Sequence, residues 1–265
     1  MRKFLLFLCI LLSAGPGTPA EQQAPVVLKE VWGYLMAGEE KYLDGRQQIT
    51  DIGHFGASPG IDGSLKGVPD ASKARPSGKK IHLVVAETSN YALTHFLLRP
   101  DLPLKTTLID SILEAAERYD GVQVDFEAVR PDDRANFVSF LYDLRKKLGS
   151  KPLSVAVPAR TRQMNDAYDY KTISRIADRV VIMAYDQHWG GTKPGPVASN
   201  DWCKNVSDFA LSQIKPEKIV MGIPFYGRSW QDKNFTRAYR HTGISEIIQK
   251  HNLKPQKTPD GIPYI

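Results

Sequence analysis

The stretch YDGVQVDFEAVR, residues 119–130, places Gln123, Asp125 and Glu127 at every second position, with Val122, Val124 and Phe126 between them. Period two is the periodicity of a strand, so one face is apolar and the other carries an amide and two carboxyl groups. Side chains two apart on a strand stand roughly 6 to 7 Å apart at their bases, close enough for one acid to tune the next. If both faces of this strand are covered, the acids point into an interior. Uncompensated burial of carboxylates is costly, so such a row marks either a reactive site or a hydrogen-bonded polar layer. Glu127 comes last, at the C-terminal end of the strand, where parallel barrels carry their catalytic groups.

The elements that would hold this row are legible around it. Short apolar runs recur at EVWGYLM (30–36), ITDIGHFGA (49–57), IHLVVA (81–86), LSVAVPA (153–159), RVVIMAY (179–185) and KIVMGIPFYG (218–227). Several are apolar without alternation, as in strands covered on both sides. Between them lie helical patterns at 108–119, 131–149, 171–178 and 207–214. In the second, Pro131 and two acids suit the first turn, Phe137, Val138, Leu141, Leu144 and Leu148 form the apolar stripe, Arg145 to Lys147 suit the last turn and Gly149 the cap. Alternating strands and helices predict a parallel α/β sheet, either a barrel or a doubly wound layer. Dinucleotide, phosphate-loop and clustered Cys/His motifs do not occur, so neither a nucleotide cofactor nor a metal is expected.

Asp120, Gly121, Asp125 and Glu127 spell D-G-x-x-x-D-x-E, which resembles the fourth-strand signature of glycoside hydrolase family 18. MAYD (183–186) resembles that family's sixth-strand motif and MGIPFYGRSW (221–230) its seventh, while WGYLM and IGHFGA stand where its first two strands belong. The likeness runs from about residue 30 to the end and is nearest to the bacterial cell-wall and spore-hydrolase branch. It implies a (β/α)8 barrel and retaining hydrolysis of β-linked N-acetylglucosamine glycans, peptidoglycan or chitin oligomers, without a protein nucleophile. The sugar's own acetamido oxygen would attack the anomeric carbon. By the resemblance Glu127 is the acid and then the base, and Asp125 orients the acetamido N–H. Tyr185 bonds the acetamido oxygen, and Asp186 holds the sugar and assists Asp125. Tyr34, Gln123, Met183, Trp189, Tyr226 and Arg228 fall at substrate-facing places. Asp125 is expected to supply the charge that keeps Glu127 protonated near neutral pH.

Two departures from the family pattern stand out. Gln123 replaces a further acid in the row; an amide can bond Asp125 without sharing a proton with it, so Asp125 is expected to ionise the more readily. The chain also ends at TPDGIPYI, soon after the seventh-strand motif, so the expected barrel is incomplete before its eighth strand. A carbohydrate-binding protein on the same barrel is the alternative function, although such relatives usually lose the Glu. An unrelated barrel enzyme with a chance acidic row is the third.

The remaining sequence bounds the setting. Arg2 and Lys3, an apolar run over 4–12 and small residues up to Ala20 read as a signal peptide over 1–20, followed by a catalytic barrel over 21–265. Removing the two cations lowers the net charge from +6 to +4. Export to the periplasm, cell envelope or medium, a glycan partner and a monomer are expected. No basic stripe interleaved with aromatics suggests nucleic acid, and no apolar run reaches membrane-spanning length. Of the four tryptophans, Trp189 in DQHWGGTKPGP is the best sugar-stacking candidate, while Trp32, Trp202 and Trp230 suit packing equally well. Arg228 could bond sugar hydroxyls or a structural acid. His54 and His188 read as loop or rim hydrogen-bonders, and KARPSGKK (73–80) as a solvated loop.

Overall fold

The computed structural model describes residues 28–232 and 235–265; the leader expected over 1–20 lies outside them. The chain divides into Met1–Glu30 and Val31–Ile265, and the elements below belong to the second unit. Strand β1 (Trp32–Met36) is followed by β2 (Asp51–Pro59), a two-residue β3 (Leu65–Lys66) and β4 (Lys80–Glu87). Helices α1 (Tyr91–Leu98) and α2 (Leu104–Ala116) lead to β5 (Gly121–Phe126), the strand of the acidic row. Then come α3 (Arg134–Leu148), β6 (Leu153–Pro158), α4 (Tyr170–Ile176), β7 (Arg179–Met183), α5 (Asn200–Gln213) and β8 (Ile219–Met221).

Seven of these strands pair in the order β1-β2-β4-β5-β6-β7-β8, every neighbour parallel. Sequential order with all connections parallel is the arrangement of a (β/α)8 barrel, not of a doubly wound layer, whose order reverses at a switch point. The sheet curls as the first seven strands of such a barrel do, and β1 and β8 are its two edges among the described residues.

The core lies between this sheet and the helices. All six residues of β5 are buried. On α3 the face turned inward is Phe137, Phe140, Leu141, Leu144 and Leu148. Phe140 rather than Val138 completes the buried stripe, since it lies three residues from Phe137 and four from Leu144. Phe126 stacks on Phe137 and Phe140, with centroids 6.3 and 5.6 Å apart, so the outward face of the acidic strand is locked onto α3.

The seventh run differs from expectation. Its barrel strand ends at Met221, and Pro224 lies in the four-residue coil that follows; proline cannot donate to a ladder. Tyr226–Asp232 (β9) then pairs antiparallel with Phe235–Arg240 (β10) in a separate hairpin, ahead of α6 (His241–His251). Gln256–Lys257 and Pro263–Tyr264 form a last small antiparallel pair. KARPSGKK is not simply solvated either. It forms two 3₁₀ turns that bury Ala74, and Arg75 pairs with Asp120 at 2.6 Å.

Candidate active site

The register places Gln123 and Asp125 on the inward face of β5, one and two steps beyond Gly121 along that face. Gly121 is required where it stands. A Cβ there would lie 2.4 Å from His82 Nδ1 and 2.9 Å from the Pro152 carbonyl. His82 is itself fixed, its Nε2 2.9 Å from Asp51 Oδ1 in a buried pair, with the tilted Trp32 ring 4.3 Å away. Asp120 is structural too: its Oδ2 accepts from Arg75 and from the Ile81 N–H. The first half of the D-G-x-x-x-D-x-E motif therefore builds the barrel floor, and the second half provides the chemistry.

Gln123 is 1 % exposed, and its Oε1 accepts the Tyr34 hydroxyl at 3.1 Å. Tyr34 as a whole is half-exposed, but its hydroxyl end reaches down to this buried amide, and burial pushes its pKa well up. The ring lies over Gly53, where a Cβ would come 2.5 Å from it. Gln123 is thus bound to Tyr34, whereas the sequence reading had it bonding Asp125. Among the described residues no hydrogen bond joins Asp125 to Gln123 or Glu127, and Asp125 Oδ1 is buried without a partner. Burial, and then the charge of Glu127, raise the Asp125 pKa from 3.8 to about 7. That reverses the expectation that Gln123 would leave Asp125 readily ionised: burial comes first, and the Asp125 Oδ1 receives no donor.

Glu127 follows the last residue of β5 and is exposed at the strand's C-terminal end, while Asp125 below it is 5 % exposed. Its pKa is raised, first by lost hydration and then by the negative charge of Asp186. Asp186 thus adds to the charge around Glu127, and Asp125 and Glu127 repel each other as a coupled pair.

Tyr185 and Asp186 follow β7. Asp186 has φ 58°, a left-handed conformation that non-glycine residues adopt mainly at turns and functional sites. Its Oδ1 accepts the Tyr226 hydroxyl at 2.7 Å and Arg228 Nη2 at 3.3 Å. The readings left open for Arg228 resolve toward an acid partner, and Tyr226 and Arg228 reach the site from β9 rather than from the top of the seventh barrel strand. Tyr185 packs edge-on to Tyr226 with centroids 6.2 Å apart. Burial raises its pKa, and Tyr34, Asp125, Glu127 and Asp186 all add to the shift. Met183, half-buried, ends β7. Trp189 is 53 % exposed in the loop beyond.

His54 is neither a loop nor a rim residue. It is buried in β2, with Nε2 3.0 Å from Glu40 Oε1. His188 bonds the Pro196 carbonyl. No cluster of His, Cys, Asp or Glu among the described residues could hold a metal ion.

A parallel strand fan with two acids toward the C-terminal end of one strand, and tyrosines and a clamped Asp on the following loops, is the arrangement at the end of a barrel sheet where such folds carry their functional groups. The model of the glycosyl hydrolases family 18 matches residues 73–263, and the chain belongs to that family. It is 36% identical over 164 residues to the uncharacterized glycosylase YvbX of Bacillus subtilis, covering 57% of this chain and 47% of that one. It is 32% identical over 199 residues to the cortical fragment-lytic enzyme of Bacillus anthracis, covering 69% and 46%. The crystal structure of the Bacillus cereus spore cortex-lytic enzyme SleL superimposes with a TM-score of 0.78 at 27% identity, over 88% of this chain and 61% of that one. The chain thus spans about half or less of the curated relatives it matches.

Proposed function

We propose that this chain is a retaining glycoside hydrolase acting on β-linked N-acetylglucosamine glycans, with peptidoglycan or chitin oligomers as substrates. The observation that carries the proposal is the stacked pair on one strand, Glu127 open to a ligand and Asp125 buried beneath it, both with raised pKa values. An acid of raised pKa at an accessible strand end can protonate a glycosidic oxygen at neutral pH. In this reading the substrate's acetamido oxygen attacks the anomeric carbon while Glu127 protonates the leaving oxygen, and Glu127 then deprotonates the water that opens the cyclic intermediate. Asp125, whose Oδ1 has no partner, takes the acetamido N–H. Its pKa near 7 means that the arriving N–H and the positive charge developing on the ring draw it into the ionised form.

The Tyr185 hydroxyl bonds the acetamido oxygen and aligns it for attack. Asp186 holds the sugar from the other side, kept in place by Tyr226 and Arg228, and Tyr34 with Gln123 forms the floor. Met183 borders this floor and Trp189 offers a stacking face at the rim. No metal or organic cofactor enters this chemistry.

A leader over residues 1–20 would export the chain, and 21–265 would form the catalytic unit. No helix among the described residues is long and apolar enough to cross a membrane. Similarity to a cortical fragment-lytic enzyme favours a wall glycan as the substrate. Mass spectrometry of N-acetylglucosamine oligomers and purified peptidoglycan incubated with the protein tests the reading. Cleaved products, with a β anomer seen first by proton NMR of the fresh digest, support it. Saccharide binding without cleavage would instead favour a lectin on the same barrel.

A further inference from the structure

Strand β5 is paired unequally on its two sides. Toward β4 the ladder runs to Glu87 opposite Phe126, and the Glu127 N–H continues it with a 2.8 Å bond to the Glu87 carbonyl. Toward β6 the register ends at Val124 opposite Val155, although β6 itself continues to Pro158 against β7. The sheet is therefore open on one side at the level of Glu127, and the carbonyls there need other donors.

Two hydroxyls supply them. Tyr168, in the loop between β6 and α4, donates to the Phe126 carbonyl at 2.8 Å. Thr94 on α1 donates to the Ala128 carbonyl at 2.5 Å, shared with the Asn90 carbonyl at 2.8 Å. The Phe126–Glu127 peptide and the Ala128–Val129 peptide, the second of them one residue beyond Glu127, are thus held by side chains 42 and 34 residues away in sequence. Both hydroxyls are themselves fixed. Tyr168 is buried, packs edge-on against Phe137 at 6.0 Å, and its N–H bonds Asp166 Oδ1. Asp166 in turn is gripped by Arg160 through its carboxylate and by Arg134 through its carbonyl. Thr94 is completely buried in a helix capped by Asn90, whose N–H bonds the Glu87 side chain.

We propose that Tyr168, which stands in for the missing ladder, and Thr94, which pins the chain just beyond Glu127, are positioning residues that set the placement of the Glu127 carboxyl. The inference rests on the reading of Glu127 as the acid. Its test has a built-in control: Tyr170, which donates to the Pro158 carbonyl at the end of β6 at 2.6 Å. Tyr170→Phe loses the same kind of bond at a strand end that carries no acid.

In the full chain, Tyr168→Phe keeps the ring packing and is expected to lower kcat on an N-acetylglucosamine tetramer by about tenfold or more, with KM within about threefold. Tyr170→Phe should stay near the parent while losing similar thermal stability. Thr94→Val should follow Tyr168→Phe, and Thr94→Ser should restore activity. The Glu127 carboxyl titration, followed by carbon NMR, should move by about half a pH unit or more in Tyr168→Phe and stay put in Tyr170→Phe. Equal kcat and equal Glu127 titration in the two Tyr→Phe variants would overturn the inference. If the parent cleaves nothing, the hydrolase reading falls, and the titration alone decides whether these hydroxyls place Glu127.

Discussion

Replacing Asp125 by Asn should make the protein more stable at alkaline pH while abolishing its activity. Asp125 is buried, with one oxygen unpartnered, and holds its proton up to about pH 7 against 3.8 in an unfolded chain. Between those values the folded state binds a proton that the unfolded state has released, so stability falls as pH rises through this window. A difference of about three pH units corresponds to about 4 kcal/mol, fully lost above pH 8. Asn matches the protonated acid in shape and cannot ionise. Urea unfolding at pH 4 and pH 8 reads the effect. With a slope of roughly 3 kcal/mol per molar, the parent's midpoint should drop by about 1.3 M more than that of Asp125→Asn over this interval. Parallel pH profiles for the two proteins would refute the burial argument. A parent gaining stability over the interval while the variant stayed flat would show that Asp125 is stabilised as the carboxylate.

Other expectations follow from single contacts. Asp186→Asn removes the charge that helps keep Glu127 protonated, so the alkaline limb of the kcat–pH profile should move to lower pH; an unmoved limb would remove Asp186 from the acid's environment. Gly121→Ala drives a methyl into His82 and the Pro152 carbonyl and should cost about 1 to 3 kcal/mol or more in urea unfolding; a neutral result would mean the floor is loosely packed. Phe137→Ala, in the cluster joining Phe126, Phe140 and Tyr168, should cost about 3 to 5 kcal/mol by calorimetry, and a loss under about 1 kcal/mol would contradict the packing described.

The strands around the acidic row were legible because both faces are covered, which leaves nearly continuous Val and Ile runs such as IHLVVA. Where a run crosses two structures the reading failed. KIVMGIPFYG looks continuous, yet Pro224 separates a three-residue barrel strand from a hairpin, and Tyr226 and Arg228 belong to the hairpin. The short α1, whose N-cap is Asn90, was not anticipated. The positions of Asp125 and Glu127 were readable from period two, but their electrostatics were not. Whether Gln123 bonds Tyr34 depends on a partner 89 residues away, and the charge that Asp186 adds near Glu127 depends on the loop after β7. Tyr168 and Thr94 left no signal, since a lone hydroxyl becomes meaningful only once the fold brings a bare carbonyl to it.

The central claim is that Glu127 is the proton donor of a glycosidase. Its most direct test compares the parent with Glu127→Gln on N-acetylglucosamine oligomers and purified peptidoglycan, with products read by mass spectrometry and folding checked by circular dichroism. Cleavage by the parent and a loss of about a thousandfold or more in the variant, with the oligomer still bound, are expected. Cleavage at comparable rates by both proteins would contradict it.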